Sequence, residues 1–279
     1  MFCPSCRGEF REGFTRCHDC EVDLVEALPA EADEESAVEE WGAEEWEREE
    51  VERPGPELSA TRSLRALELL LVLSVAFGPA LVLSLFDWWR HVPPTRRESV
   101  AGFFVTIVRS TAAIALLSYV LFRQGRSLRH LGLTARWSDL PLSYVLLVLS
   151  FVPEILAATL ASGKGFASAL FHPARALAGA LGLHPLLMVS LLVSAAEEEL
   201  IVRAYLMTEV VELTGNAFLA VAASVAFQGL YHLYQGTQGA VILAGWFLIC
   251  SIYYAIYRRV TPLIVAHFLH NMLVYGYFH

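Results

Sequence analysis

Residues 64–87 read LRALELLLVLSVAFGPALVLSLFD, and between Leu69 and Phe86 no charged residue occurs. About 20 apolar residues, at a helical rise of 1.5 Å each, cross a hydrocarbon core. The stretch therefore predicts a membrane-crossing helix. Working outward, runs of similar length recur, predicting helices at about 98–122, 141–162, 185–211, 217–235, 239–257 and 262–278. Segment 164–184 is interrupted by Lys164, His172, Pro173 and Arg175, yet its ALAGALGL run suits a short or re-entrant helix. The expectation is seven helices, or eight with this one. Irregular backbone at membrane depth leaves N–H and C=O groups without partners. The expected fold class is therefore all-α, a polytopic transmembrane helix bundle.

The N-terminal part is a different material. Residues 1–60 hold 19 Asp/Glu against 5 Arg, a net of -14, whereas residues 61–279 hold 10 acids and 15 Arg/Lys, a net of +5. The formal charge of -9 and the mean hydropathy of +0.49 average two unlike segments, which excludes a single soluble domain. No dense basic patch is present to neutralise phosphates, so nucleic acid is not an expected partner.

The first twenty residues carry Cys3 and Cys6 in one C-x-x-C and Cys17 and Cys20 in a second. Four thiolates so spaced suit one tetrahedral ion, and the segment (1–24) resembles a small zinc ribbon with a structural zinc. So short a stretch buries little apolar surface, so metal binding is expected to supply most of its folding free energy. Reduced thiols imply a cytoplasmic setting. Residues 25–60 read as an acidic, self-repelling linker closed by Pro54-Gly55-Pro56, and the membrane domain follows over 61–279. Met1 leads straight into the knuckles, so no cleavable signal peptide is expected. Cys250, in an apolar run, reads as a core residue.

With seven spans, one side carries Arg62, Arg65, Arg123, Arg126, Arg129, Arg136, Arg258 and Arg259. The other carries Arg90, Arg96, Arg97, Lys164 and Arg175. The bias puts the N-terminus in the cytoplasm, in agreement with the reduced thiols. Of 20 basic residues, 19 are Arg, which points to a GC-rich, bacterial genome and so to the bacterial inner membrane.

Ionisable residues at membrane depth are costly and are functional candidates by default. SAAEEELIVRAYL (194–206) places Glu199 and Arg203 four apart, on one helical face and suited to an ion pair, with Glu198 about 100° round from Glu199. AFQGLYHLYQG (226–236) places His232 one turn after Gln228. PLIVAHFLHNML (262–273) places His267 and Asn271 on one face, with His270 beside them. One carboxylate, two imidazoles and a carboxamide on three apolar helices form a hydrolytic inventory. The carboxylate and a histidine can deprotonate water, while a histidine and an asparagine can donate to an oxyanion. Arg109 and Glu154, on the second and third helices, are expected to pair with one another or to line the cavity, and Pro153 to kink its helix.

EELIVR (198–203) and HFLHN (267–271) match the E-E-x-x-x-R and H-x-x-x-N motifs of the CPBP intramembrane protease family, which includes type II CAAX prenyl endopeptidases and self-immunity proteins. YHLYQG around His232 is similar to that family as well, and the resemblance covers about 185–278. One departure is visible. The family's middle motif is F-x-x-x-H, whereas Phe227 lies five residues before His232 and Gln228 stands in its place.

The resemblance implies that Glu198 and His232 activate water, that His267 and Asn271 hold the oxyanion, and that Glu199 and Arg203 orient the site. A rival scheme has Glu198, His232 and His267 bind a catalytic zinc. The metal-free scheme is favoured, because Asn271 suits an oxyanion donor better than a zinc ligand. The expected activity is intramembrane peptide-bond hydrolysis of a membrane-associated or lipidated substrate. The ribbon offers a surface for a protein partner. A non-proteolytic scaffold or immunity protein would have lost Glu198, His232 or Asn271. A transporter would show internal repeats with broken helices in both halves, and no such symmetry is seen.

Overall fold

Along the first membrane helix, the buried positions Leu69, Val72, Leu73, Ala76 and Phe77 fall three or four apart, while Leu67, Leu70, Leu71 and Val75 between them are large, apolar and exposed. A helix apolar on every face meets protein on one side and lipid on the other. The computed structural model that shows this describes residues 56–92, 99–162 and 178–278, together with Asp23 and Val25 in isolated β-bridges. The cysteines Cys3, Cys6, Cys17 and Cys20, most of the acidic linker, and residues 163–177 lie outside the described residues. The chain divides into two units, Met1–Arg53 and Pro54–His279, and the helices belong to the second.

Among the described residues it has eight α-helices: α1 (Pro56–Trp89), α2 (Val100–Arg123), α3 (Asp139–Ser162), α4 (Pro185–Glu198), α5 (Leu206–Thr214), α6 (Ala217–Tyr231), α7 (Gly236–Tyr257) and α8 (Thr261–Phe278). A π-helical segment, Glu199–Tyr205, joins α4 to α5 without a break, so the predicted 185–211 helix is one rod ending at Thr214. The predicted 217–235 helix is α6 followed by a 3-10 turn, Leu233–Gln235. Among the described residues four stretches are long and apolar enough to cross a membrane: Arg62–Trp89, Val100–Arg123, Asp139–Ala157 and Leu233–Tyr257, whereas α6 is apolar but short. The chain is thus multi-pass and all-helical among the described residues, apart from the two bridge positions.

Local chemistry sets the helix ends. Ser99 accepts from Gly102 N–H at 3.0 Å to start α2. Gly215 (φ +70°) closes α5, and Asn216 caps α6 by accepting from Leu219 N–H at 3.0 Å. Gly132 (φ +81°) sits where a Cβ would lie 2.0 Å from the Arg258 carbonyl oxygen. That close approach joins the 124–138 loop to the 258–260 loop, with Val260 N–H bonded to Gly132 O at 3.2 Å.

At this same end Arg65 and Arg126 converge on the buried Glu209, and Gln124 donates to Glu68 at 2.8 Å. Arg259 pairs with Asp139. Much of the arginine belt read from the loops is therefore gathered at one end of the bundle. At mid-bundle, Gly245 on α7 lies against Pro153 of α3, where a Cβ would approach to 2.9 Å. Cys250 is free and fully buried.

Candidate active site

Glu197 and Glu198 end α4 and Glu199 opens the π segment, and a turn of about 100° per residue sends each to a different neighbour. Glu197 turns to α2. Arg109 Nη1 and Nη2 donate to its two oxygens at 3.0 Å each, and Ser110 Oγ donates to Oε2 at 2.6 Å. Arg109 also donates to the Ala76 carbonyl at 2.7 Å, which ties α1 into the same cluster. The expected Arg109–Glu154 pair is therefore corrected. Both are long-armed charges at membrane depth, and helix packing, invisible in the sequence, decided which partner each met.

Glu199 turns inward. Arg203 Nε donates to Oε2 at 3.2 Å, and His267 Nδ1 lies 2.8 Å from Oε1. Arg203 is wholly buried, with Nη1 donating to Ser224 Oγ at 2.9 Å and its guanidinium 5.7 Å from the Phe247 ring centre. The π segment sits beneath this cluster. Such segments widen a helix and commonly mark functional sites, and here every one of its residues is buried.

Glu198 is left for the cavity. Among the described residues its carboxylate accepts one hydrogen bond, from the Tyr231 hydroxyl at 3.0 Å. Tyr231 is positioned by stacking on Phe77, with centroids 4.9 Å apart, and by an edge contact from Phe227 at 5.7 Å. Glu198 lines a cavity of about 280 Å³ with Tyr231, His232, Tyr234, Arg109 and the α1 face from Phe77 to Asp87.

His232 caps the C-terminus of α6, and its Nδ1 lies 3.0 Å from the Gln228 carbonyl. A carbonyl only accepts, so Nδ1 carries the hydrogen and Nε2 keeps a lone pair. The departure from F-x-x-x-H also has its answer. Phe227 packs behind Tyr231 instead of behind the histidine, and Phe247 at 5.1 Å and Tyr231 at 4.5 Å supply the aromatic wall of His232. Gln228 is fully buried.

His267 likewise has Nδ1 committed to a carboxylate, which leaves Nε2 facing away from Glu199. Glu198 lies within electrostatic range of both His232 and His267. Asn271, one turn beyond His267 on α8, is half-buried, and its carboxamide has no hydrogen bond among the described residues. His270 points elsewhere. Its ring nitrogens meet Ser150 Oγ at 2.8 Å and Glu154 Oε1 at 3.4 Å, and it stacks on Phe151 at 4.9 Å. Among the described residues no group of three His, Cys, Asp or Glu side chains is placed to hold a metal ion.

Sequence reading missed two contributors, Tyr231 and the Arg109–Glu197 pair. One signal pointed to the second. Three adjacent carboxylates face only one basic residue on their own helix, so at least one partner had to come from another.

None of the curated proteins and none of the solved structures compared with the chain matches it. Residues 180–273 match the model of the type II CAAX prenyl endopeptidase Rce1-like family. The match spans the three glutamates, Arg203, Tyr231, His232, His267 and Asn271, so over residues 180–273 the chain is similar to this family at the residues that build the site.

Proposed function

We propose that the protein is an intramembrane endopeptidase in which Glu198 and His232 activate the attacking water. One observation carries this reading. Of three adjacent glutamates, Glu197 and Glu199 are held by arginines, and Glu198 alone lines the cavity, beside His232.

Water bound between Glu198 and the Nε2 lone pair of His232 loses a proton to Glu198 as its oxygen bonds to the substrate carbonyl carbon. The carbonyl oxygen then carries negative charge. Asn271 and His267 Nε2 are the donors for it. His267 donates from Nε2 only as the imidazolium, since its Nδ1 hydrogen is already directed at Glu199. The Glu199 carboxylate, 2.8 Å away, is the counter-charge for that state. Glu198 passes its proton to the leaving nitrogen as the C–N bond breaks, which regenerates the carboxylate. Tyr231 holds Glu198 in position, and Arg203 holds Glu199. The substrate is a membrane-associated or lipidated protein or peptide, which enters a cavity walled partly by membrane helices.

Comparative membrane proteomics of cells carrying the wild type or Glu198→Ala tests this. The expected result is at least one membrane protein that accumulates uncleaved in the variant. Identical precursor and product levels in both strains contradict the reading.

A further inference from the structure

The cavity contains a second carboxylate that the hydrolytic steps do not use. Its wall along α1 is formed by Phe77, Ala80, Leu83, Ser84 and Asp87, positions that share one helical face. Phe77, 2% exposed and stacked under Tyr231, the partner of Glu198, marks the floor, and Ser84 on the same wall is buried as well, at 1%. Asp87, half-buried in the last turn of the helix, marks the rim.

Asp87 is in an unfavourable place for its own helix. It lies in the last turn of α1, where the free carbonyl groups present partial negative charge. Arg90, three residues on, turns its guanidinium over the Phe86 ring at 5.8 Å instead of pairing with it. Among the described residues no hydrogen bond or ion pair reaches the Asp87 carboxylate. The other charged wall residue, Arg109, is committed to Glu197 through both terminal nitrogens. Among its described lining residues the cavity thus holds two carboxylates, Glu198 and Asp87, and no uncommitted positive charge.

We infer that Asp87 is a rim subsite for a positively charged substrate residue, so that the peptidase cuts bonds lying a few residues from a lysine or arginine. The inference rests on the peptidase reading above and names its substrate class. From Phe77 to Asp87 the helix rises about 15 Å, a length that an extended peptide covers in about four or five residues. With the scissile carbonyl at Glu198 and a long cationic arm reaching to Asp87, the cation falls about two to four residues from the cut bond. Lysine and arginine near a membrane helix end extend their charged heads toward the boundary, and Asp87 waits at such an end. Because α1 lies outside the matched residues 180–273, this preference belongs to the chain's own N-terminal helices.

Digestion of a proteome-derived peptide library by the purified full-length protein, with cleavage sites read by mass spectrometry, tests the subsite. Wild type, Asp87→Asn, Asp87→Lys and Glu198→Ala are compared. Wild-type sites are expected to be enriched severalfold for Lys or Arg within four residues of the bond. Asp87→Asn, nearly isosteric, loses that enrichment, and Asp87→Lys exchanges it for Asp or Glu. Wild-type cleavage without a basic preference, or a preference unchanged in both Asp87 variants, overturns the subsite alone. Wild-type cleavage no greater than that of Glu198→Ala overturns the peptidase reading and the subsite with it.

Discussion

Among the described residues a single hydroxyl, that of Tyr231, bonds to Glu198 and orients it toward the cavity. Tyr231→Phe keeps the stack on Phe77 and removes only that bond. A positioned general base contributes about 10²–10⁴-fold, so losing its orienting bond is expected to lower kcat about tenfold or more with an unchanged melting temperature in detergent. Glu199 is a different kind of residue, because two buried cationic or ionisable groups depend on it. Glu199→Gln leaves the Arg203 charge unpaired in the core, expected to cost about 3–5 kcal/mol, seen as a large drop in thermal stability. Adding Arg203→Met to that variant removes the orphaned charge and is expected to recover much of the stability, though not the activity. At this scale the sequence disclosed the residue types and the Glu199–Arg203 spacing. It did not disclose which glutamate faces the cavity, because that depends on where Arg109 and Tyr231, on other helices, come to rest.

Helix α8 carries His267 and Asn271 on one face, so its rotation about its own axis sets their aim. His270 fixes that rotation against α3, through Ser150, Glu154 and the Phe151 ring. His270→Phe preserves the ring stack and deletes both nitrogen contacts. It is expected to lower kcat several-fold while KM for the same substrate stays nearly constant, measured by steady-state hydrolysis. Equal loss in both parameters, or none, contradicts a positioning role. The order of the seven apolar runs was legible in the sequence, although among the described residues four stretches are long and apolar enough to cross a membrane. The π segment at Glu199–Tyr205 was not legible, because its residue types suit an α-helix equally well and only packing between α4 and α5 reveals the widened turn. Nor was the break after Tyr231, where His232 leaves the helix to cap it instead of sitting one turn inside it.

The molecule as a whole separates an acidic N-terminal segment from a bundle whose remaining acids are few and mostly paired. Half of the ten acids after residue 60, namely Glu68, Asp139, Glu197, Glu199 and Glu209, are buried and bonded to arginine or glutamine. Glu198 and Asp87 stand out in the bundle as the two acids that line the cavity. We propose that Cys3, Cys6, Cys17 and Cys20 hold one zinc ion apart from this site. Elemental analysis of the purified chain is then expected to give about one zinc per chain, falling to near zero in Cys3→Ser/Cys6→Ser. The peptidase rate of that variant is expected to stay within about twofold of wild type. The central claim is that Glu198 is the group that takes the proton from water, and the direct measurement is the single-turnover rate of peptide hydrolysis by purified Glu198→Gln. The amide keeps the size and the Tyr231 contact but is not a base, so the expected result is a loss of at least about a hundredfold with an unchanged melting temperature. A Glu198→Gln protein that is folded and hydrolyses peptide at the wild-type rate would contradict the account.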